Sequence, residues 1–183
     1  MMNREEAFDL IKQNVKQENL IKHMLAVEAI MRGCAEFLKE DVEKWTLLGL
    51  IHDIDFDKAP DPKKHCTVAP EILQGKVNEE IIRAIKSHNF ENIGVQPQSK
   101  MEYCLVAADA ISGLIIAAAL IIPSKRLADV KLKSIKKKFK QKDFARRCSR
   151  ERILFCEKIG IPKEKFFEIS LIALQEISDS LGL

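Results

Sequence analysis

Apolar residues recur along the chain at intervals of three and four positions, which is the pattern of amphipathic α-helices. The clearest apolar stripe lies in residues 18–39. Its members are His23, Val27, Ile30, Cys34 and Phe37. No alternating run is long enough for a β-strand, and the sequence contains no internal repeat. The pattern therefore predicts an all-α protein folded as a compact multi-helix bundle.

Capping residues, prolines and glycines set the boundaries of the predicted helices. The predicted ranges are 4–14, 18–39, 42–52, 63–73, 79–88, 100–121, 150–160 and 162–182. Asp41, Asn78 and Ser149 are suitable N-caps because their side chains can accept hydrogen bonds from first-turn amides. The segments 53–64 and 90–99 are predicted to be loops.

The chain length of 183 residues suits one domain. We predict a single helical domain over 1–183, with its core at about 18–122 and a helical extension at about 123–183. Hydrophobic residues make up 46% of the chain and charged residues 31%, which is typical of soluble globular proteins.

One apolar segment, residues 104–122, has about the length that spans a bilayer. Because Asp109 lies within it, a buried core helix is the favoured interpretation, and no membrane partner is expected. The N-terminus lacks the pattern of a signal peptide. The five cysteines have no C-x-x-C spacing and are interpreted as reduced core residues, so we predict a cytoplasmic protein.

Basic residues concentrate between Lys125 and Arg152, although the net charge of the whole chain is only +3. This stretch is either a solvated helical face or a surface that binds the phosphate groups of a nucleotide or nucleic acid. Nucleic acid is the less favoured partner, because only Phe139 and Phe144 are available for base stacking. The apolar final helix packs on the domain or supports a homodimer, and the sequence does not separate these two interpretations.

All four histidines, His23, His52, His65 and His88, fall in the first half of the chain. Three of them, all except His65, end or interrupt an apolar helical face. His52 is followed directly by an aspartate, Asp53. Imidazole and carboxylate together are typical ligands of divalent first-row metals, and the absence of paired cysteines argues against a structural zinc site.

Asp109 gives the strongest physical argument for a bound cation. A carboxylate in an apolar helix is unfavourable unless a cation or hydrogen-bond donors satisfy it. The nearest basic residue, Lys100, is not in helical register with Asp109. The charge partner must therefore come from elsewhere in the fold, as a distant Lys or Arg or as a metal ion.

The order of these residues carries a resemblance to a known family. His23, then the doublet His52-Asp53, then Asp109 resembles the H…HD…D pattern of the HD-domain superfamily of metal-dependent phosphohydrolases. The runs NLIKHMLAVEAIM and LLGLIHDID resemble its first-ligand and doublet helices, and the likeness extends over about 18–122. The HDIG subgroup has glycine two residues after the doublet, where this chain has Asp55.

The resemblance implies a set of metal ligands and a cofactor. It implies that His23, His52, Asp53 and Asp109 bind one divalent ion, and that His65 and His88 hold a second ion with Asp53 bridging both. The implied cofactor is one or two ions of Mn, Fe, Ni, Co, Zn or Mg, with Asp53 and His52 as catalytic residues.

The implied reaction is hydrolysis of a phosphomonoester or phosphodiester by metal-activated water. The expected substrate is a small phosphorylated molecule, with a nucleotide favoured. The alternative is a non-catalytic HD-like module that binds metal or nucleotide and signals by association. The general acid is not assigned, and its candidates near the site in sequence are Asp55, Asp57, Lys58 and Lys64.

Overall fold

The computed structural model describes residues 2–183 as helices joined by short turns and loops. The helices are α1 (Arg4–Asn14), α2 (Glu18–Leu38), α3 (Val42–Ile51), α4 (Ala69–Ile72), α5 (Glu79–His88), α6 (Phe90–Ile93), α7 (Lys100–Leu120), α8 (Leu132–Lys140), α9 (Arg150–Ile153), α10 (Phe155–Lys158), α11 (Lys163–Glu176) and α12 (Ser178–Leu181). One 3₁₀ turn spans Leu127–Asp129. No strand occurs in residues 2–183, so the predicted all-α fold is confirmed.

Helices α2 and α3 pack closely, and Gly49 makes their approach possible. A Cβ atom added to Gly49 would lie 2.9 Å from the Cα atom of Glu28 and 2.9 Å from the carbonyl oxygen of Val27. Both neighbours are backbone atoms of α2, which cannot move aside as a flexible side chain would. This close contact brings His23 of α2 beside His52 at the end of α3, with ring centroids 5.2 Å apart.

Helix α7 lies at the centre of the fold and contacts α2, α5, α8, α9, α10 and α11. Within residues 2–183 it is the one helix long and apolar enough to cross a membrane, and most of that span is buried by its neighbours. Its first turn is closed by a reciprocal capping box between Ser99 and Glu102.

The carboxylate of Glu102 also ties α7 to α5. It accepts hydrogen bonds from the guanidinium of Arg83 and from the backbone amides of Gln98, at 2.6 Å, and Ser99, at 3.2 Å. Arg83 lies on the helix that ends at His88, whereas Glu102 lies two turns before Asp109. The ion pair therefore fixes α5 against α7.

Some predicted helix boundaries are wrong. The helix predicted over 63–73 is reduced to α4. The carboxylate of Asp55 accepts hydrogen bonds from the backbone amides of Cys66, Val68 and Ala69, which keeps the residues before α4 in turns. The loop predicted over 90–99 contains α6, and the last two predicted helices each divide into two segments. Phe37, predicted on the buried stripe of α2, lies in its last turn and is exposed.

The C-terminal segments cover the core rather than extending away from it. Helix α11 packs against α2, α7 and α8, and it buries Phe166 and Phe167. Helix α8 buries Ile135, while its lysines line its outer surface. Assignment of the whole chain to one domain stays a prediction.

Arg150, in the predicted basic stretch, serves the fold. Its guanidinium donates hydrogen bonds to six backbone carbonyl groups between Lys138 and Cys148. These bonds hold together an irregular segment, in which three of the carbonyls, those of Lys138, Gln141 and Ala145, also accept a backbone hydrogen bond. The positive charge of Arg150 is therefore used inside the protein.

Candidate metal centre

The four histidine rings converge on the carboxylate of Asp53, each from a different part of the chain. The Nε2 atoms of His65 and His88 lie 3.1 and 3.2 Å from Oδ1 of Asp53. The Nε2 atoms of His52 and His23 lie 3.4 and 3.6 Å from its Oδ2. The two oxygens of one carboxylate thus divide the rings into two pairs.

Each ring presents Nε2 to the centre because its Nδ1 atom contacts an acceptor on the outside. The acceptors are Gly49 O for His52 at 2.8 Å, Ile85 O for His88 at 2.6 Å, Asp55 Oδ1 for His65 at 3.1 Å and Ser112 Oγ for His23 at 3.3 Å. For His52 and His88 the acceptor is a backbone carbonyl oxygen, which cannot donate, so the proton of the neutral ring lies on Nδ1. The Nε2 lone pairs are then free to bind a cation, as in metal-binding histidines.

The buried end of the cluster requires positive charge. The Nε2 atoms of His65 and His88 lie 3.1 Å apart beside the same carboxylate oxygen. The Nε2 atom of His52 is buried and has no hydrogen-bond partner among residues 2–183. Lone pairs placed this close repel one another unless protons or metal ions lie between them. The donor set therefore fits divalent metal.

The pKa values of the same groups also indicate that this site favours positive charge. Burial disfavours the charged ring of His65, but hydrogen bonds to Asp53 and Asp55 outweigh it and raise its pKa to about 12. Burial is likewise outweighed at His88, where Cys66 and Asp53 raise the pKa to about 10. The surrounding histidines hold the pKa of Asp53 well below its usual value, against the effect of burial.

Asp109 completes the cluster on its more exposed side. Its Oδ1 atom lies 3.2 Å from Nε2 of His23, and its Oδ2 atom lies 3.5 Å from Nη2 of Arg152. Burial raises the pKa of Asp109, but His23 and Arg152 outweigh it and lower the pKa. The distant charge partner expected from the sequence is therefore Arg152 together with the histidine, and the side chain of Asp109 is 21% exposed rather than fully buried.

Asp55, one of the general-acid candidates, lies behind His65 on the buried side of the cluster. Its fully buried carboxylate accepts hydrogen bonds from the amides of Cys66, Val68 and Ala69, at 3.2, 3.0 and 3.0 Å. These contacts and His65 lower its pKa despite burial. The residue that departs from the HDIG pattern thus orients the turn that carries His65.

The remaining acid candidates lie outside the cluster. Asp57 accepts hydrogen bonds from the backbone amide of Lys16, at 2.6 Å, and from the side chain of Gln17. Lys58 and Lys64 are exposed. Among residues 2–183, none of these three side chains forms a hydrogen bond or ion pair with Asp53 or its histidines.

Cys66 is a neighbour of the site that the sequence did not indicate. Its Sγ atom lies 3.6 Å from Nδ1 and 3.8 Å from Nε2 of His88. His65, Cys66 and His88 offer three ligand atoms within 4.8 Å of one another. Burial raises the pKa of the thiol, but His88 and His65 outweigh it and lower the pKa. The backbone φ of Cys66 is 72°, a conformation that strains a non-glycine residue.

Comparison with known proteins identifies the part of the chain that holds the cluster. The model of the family described as HD domain matches residues 20–114, which include all six predicted ligands and exclude Arg152. Ribonuclease Y from Lawsonia intracellularis (strain PHE/MN1-00) is 31% identical over 101 residues. The match covers 52% of this chain but only 18% of that relative's length. No solved structure gives a significant match.

Proposed function

The chain belongs to the HD domain family, and from this premise we propose that it is a metal-dependent phosphohydrolase. The family generally includes metal-dependent hydrolases. The observation that carries the proposal is the convergence of four Nε2 atoms on the two oxygens of Asp53, with the Nδ1 atoms of His52 and His88 bonded to backbone carbonyls. A structural cluster would pair these lone pairs with protein donors.

The geometry supports two ion positions that share Asp53. His23, His52 and Asp109 with Oδ2 of Asp53 would hold one ion, and His65 and His88 with Oδ1 of Asp53 would hold the other. A divalent ion in such a site supplies an activated water and neutralises the charge that develops on phosphate oxygens.

The protein's own residues fix the geometry of this chemistry. Asp53 would offer one carboxylate oxygen to each ion, since each oxygen faces one pair of rings. Backbone carbonyls and Asp55 hold the ring planes, so little reorganisation is needed when charge develops. Burial of His52 and His88 keeps water from the rear of the site.

The proposed substrate is a phosphomonoester or phosphodiester, with a nucleotide favoured. The name of the ribonuclease relative adds RNA phosphodiesters to the substrates that merit testing. A module that binds metal or nucleotide without turnover is the competing function.

The test combines metal analysis with turnover assays. The purified full chain should contain divalent metal by mass spectrometry and should hydrolyse at least one of p-nitrophenyl phosphate, bis-p-nitrophenyl phosphate, a panel of nucleotides and a short RNA. Asp53→Asn should lose both metal and activity. Asp57→Asn makes the same chemical change outside the cluster and should keep the metal.

The possible results separate the competing functions. Metal-free wild-type protein would contradict both the phosphohydrolase and the metal-binding module. Metal bound through Asp53 without turnover of any substrate would favour the binding module.

A further inference from the structure

We propose that Arg152 binds a phosphate oxygen of the substrate at the more exposed side of the metal centre. The inference rests on the proposed function, and it assigns a substrate contact to a residue outside the part of the chain that matches the family. Arg152 lies on α9, which packs against the central helix α7 that carries Asp109.

The guanidinium of Arg152 is fixed in place. Its Nη2 atom donates a hydrogen bond to the backbone carbonyl of His88 and lies 3.5 Å from Oδ2 of Asp109. Its Cζ atom lies 5.8 Å from the ring centroid of Phe90. Arg152 is thus held against two predicted ligand residues, through the backbone carbonyl of His88 and the carboxylate of Asp109.

Part of the hydrogen-bonding capacity of this guanidinium is unused. Both contacts with His88 and Asp109 go through Nη2. The Nε atom is buried and has no hydrogen-bond partner among residues 2–183. A charged donor left unpaired in a protein interior is unfavourable, so a purely structural arginine would be expected to satisfy it. A planar group with free donors suits phosphate, which presents several oxygens.

Arg152 lies where the metal centre is most exposed to solvent. The side chains of His23, Asp109 and Arg152 are 25%, 21% and 21% exposed, whereas His52 is fully buried and His88 is 5% exposed. These three are the most exposed residues at the centre, since His65 is 11% and Asp53 9% exposed, so a substrate approaching from solvent meets them first. His23 and Asp109 are predicted to bind metal, and Arg152 is the permanently charged cation of the three.

Arg150 provides an internal contrast on the same short helix. Its guanidinium donates to six carbonyl groups and is used for structure. Within residues 2–183 the guanidinium of Arg152 makes one hydrogen bond and one ion pair, its side chain is 21% exposed, and its Nε atom has no hydrogen-bond partner. The difference in hydrogen-bond satisfaction points to a ligand for Arg152.

The test measures binding of inorganic phosphate to the metal-loaded full chain by calorimetry, with metal occupancy matched by mass spectrometry. Arg152→Gln should weaken phosphate binding by about tenfold or more, the usual effect of losing a hydrogen bond to a charged group. Arg152→Lys should give an intermediate loss, because it keeps the charge but not the planar donors. Arg147→Gln removes an exposed charge from the neighbouring segment and should change binding by less than about twofold.

The possible results distinguish failure of this inference from failure of the proposed function. Unchanged phosphate affinity in metal-loaded Arg152→Gln would overturn the inference and leave the proposed function intact. Inability of folded Arg152→Gln to take up metal would also overturn it, because Arg152 would then act through Asp109. If Arg152→Gln fails to fold, wild-type affinity in folded Arg152→Lys would count against the role of the planar group. Wild-type protein that binds no metal would contradict the proposed function itself.

Discussion

The two sides of the metal centre differ in access and in what supports them. The closed side, formed by His65, His88 and Cys66, lies under the buried carboxylate of Asp55. The open side, formed by His23, Asp109 and Arg152, is partly exposed and is supported by side chains from distant helices. The proposed division of roles follows this difference: the closed side would hold a cation, and the open side would receive the substrate as well.

Substitution of one histidine on each side tests this division with the largest expected effect. His88→Gln and His23→Gln should each reduce phosphohydrolase activity by at least about 10²-fold, since ligand loss exceeds the usual effect of changing a supporting residue. His88→Gln should lower the melting temperature of the metal-loaded protein more, because its site is buried and bound metal stabilises the folded state.

Chelation provides the control for that comparison. Removal of metal with EDTA should bring the melting temperatures of the wild type and the two variants closer together. Equal destabilisation by His23→Gln and His88→Gln in the metal-loaded state would show that the two sides do not differ as proposed.

Asp55→Asn should weaken the closed side selectively. The amide keeps the size of the side chain but loses the charge that orients His65 and the amides of residues 66, 68 and 69. We expect metal affinity to fall by about 10- to 100-fold, as for other residues that orient a ligand. Titration with a chromogenic chelator measures this change, and an unaffected affinity would contradict the orienting role.

The smallest predicted effect concerns the ion pair that joins the two sides. Burial raises the pKa of Glu102, but the hydrogen bond from Arg83 and those from two backbone amides outweigh it and lower the pKa. The carboxylate therefore stabilises the folded state at neutral pH, and this stabilisation is lost as the pH falls through the lowered pKa.

Glu102→Gln should decrease the free energy of unfolding by about 1 kcal/mol at pH 7. The difference from the wild type should shrink as the pH falls below about 4.3, the ordinary value for glutamate. Urea unfolding at several pH values measures it. A difference that stays constant down to acidic pH would assign the effect to packing instead of charge.

The sequence predicted those parts of the site that depend on local order along the chain. Helical periodicity gave the all-α fold, and the doublet His52-Asp53 with His23 and Asp109 gave the family. The structure brings all six predicted ligands together, while their binding of metal stays a prediction.

What the sequence missed depends on contacts between distant segments. Arg152 reaches Asp109 only because α9 packs on α7, and no periodicity along the chain encodes that meeting. The sequence makes Asp55 a general-acid candidate, whereas its hydrogen bonds with the amides of Cys66 and Ala69 show that it holds the turn before α4. The positive φ of Cys66 has no sequence signal, since glycine or asparagine would be expected there.

His52 and His88 each direct Nδ1 to the carbonyl three residues earlier, in the last turn of their own helix. Carbonyl groups in this position lack helical partners, so the rings complete the helix ends and are aligned by them at the same time. A four-residue segment of each helix therefore fixes one edge of the ring, and contacts with Asp53 act on the other edge. Grafted onto another helical bundle, such a helix end would carry a histidine already oriented to bind a metal.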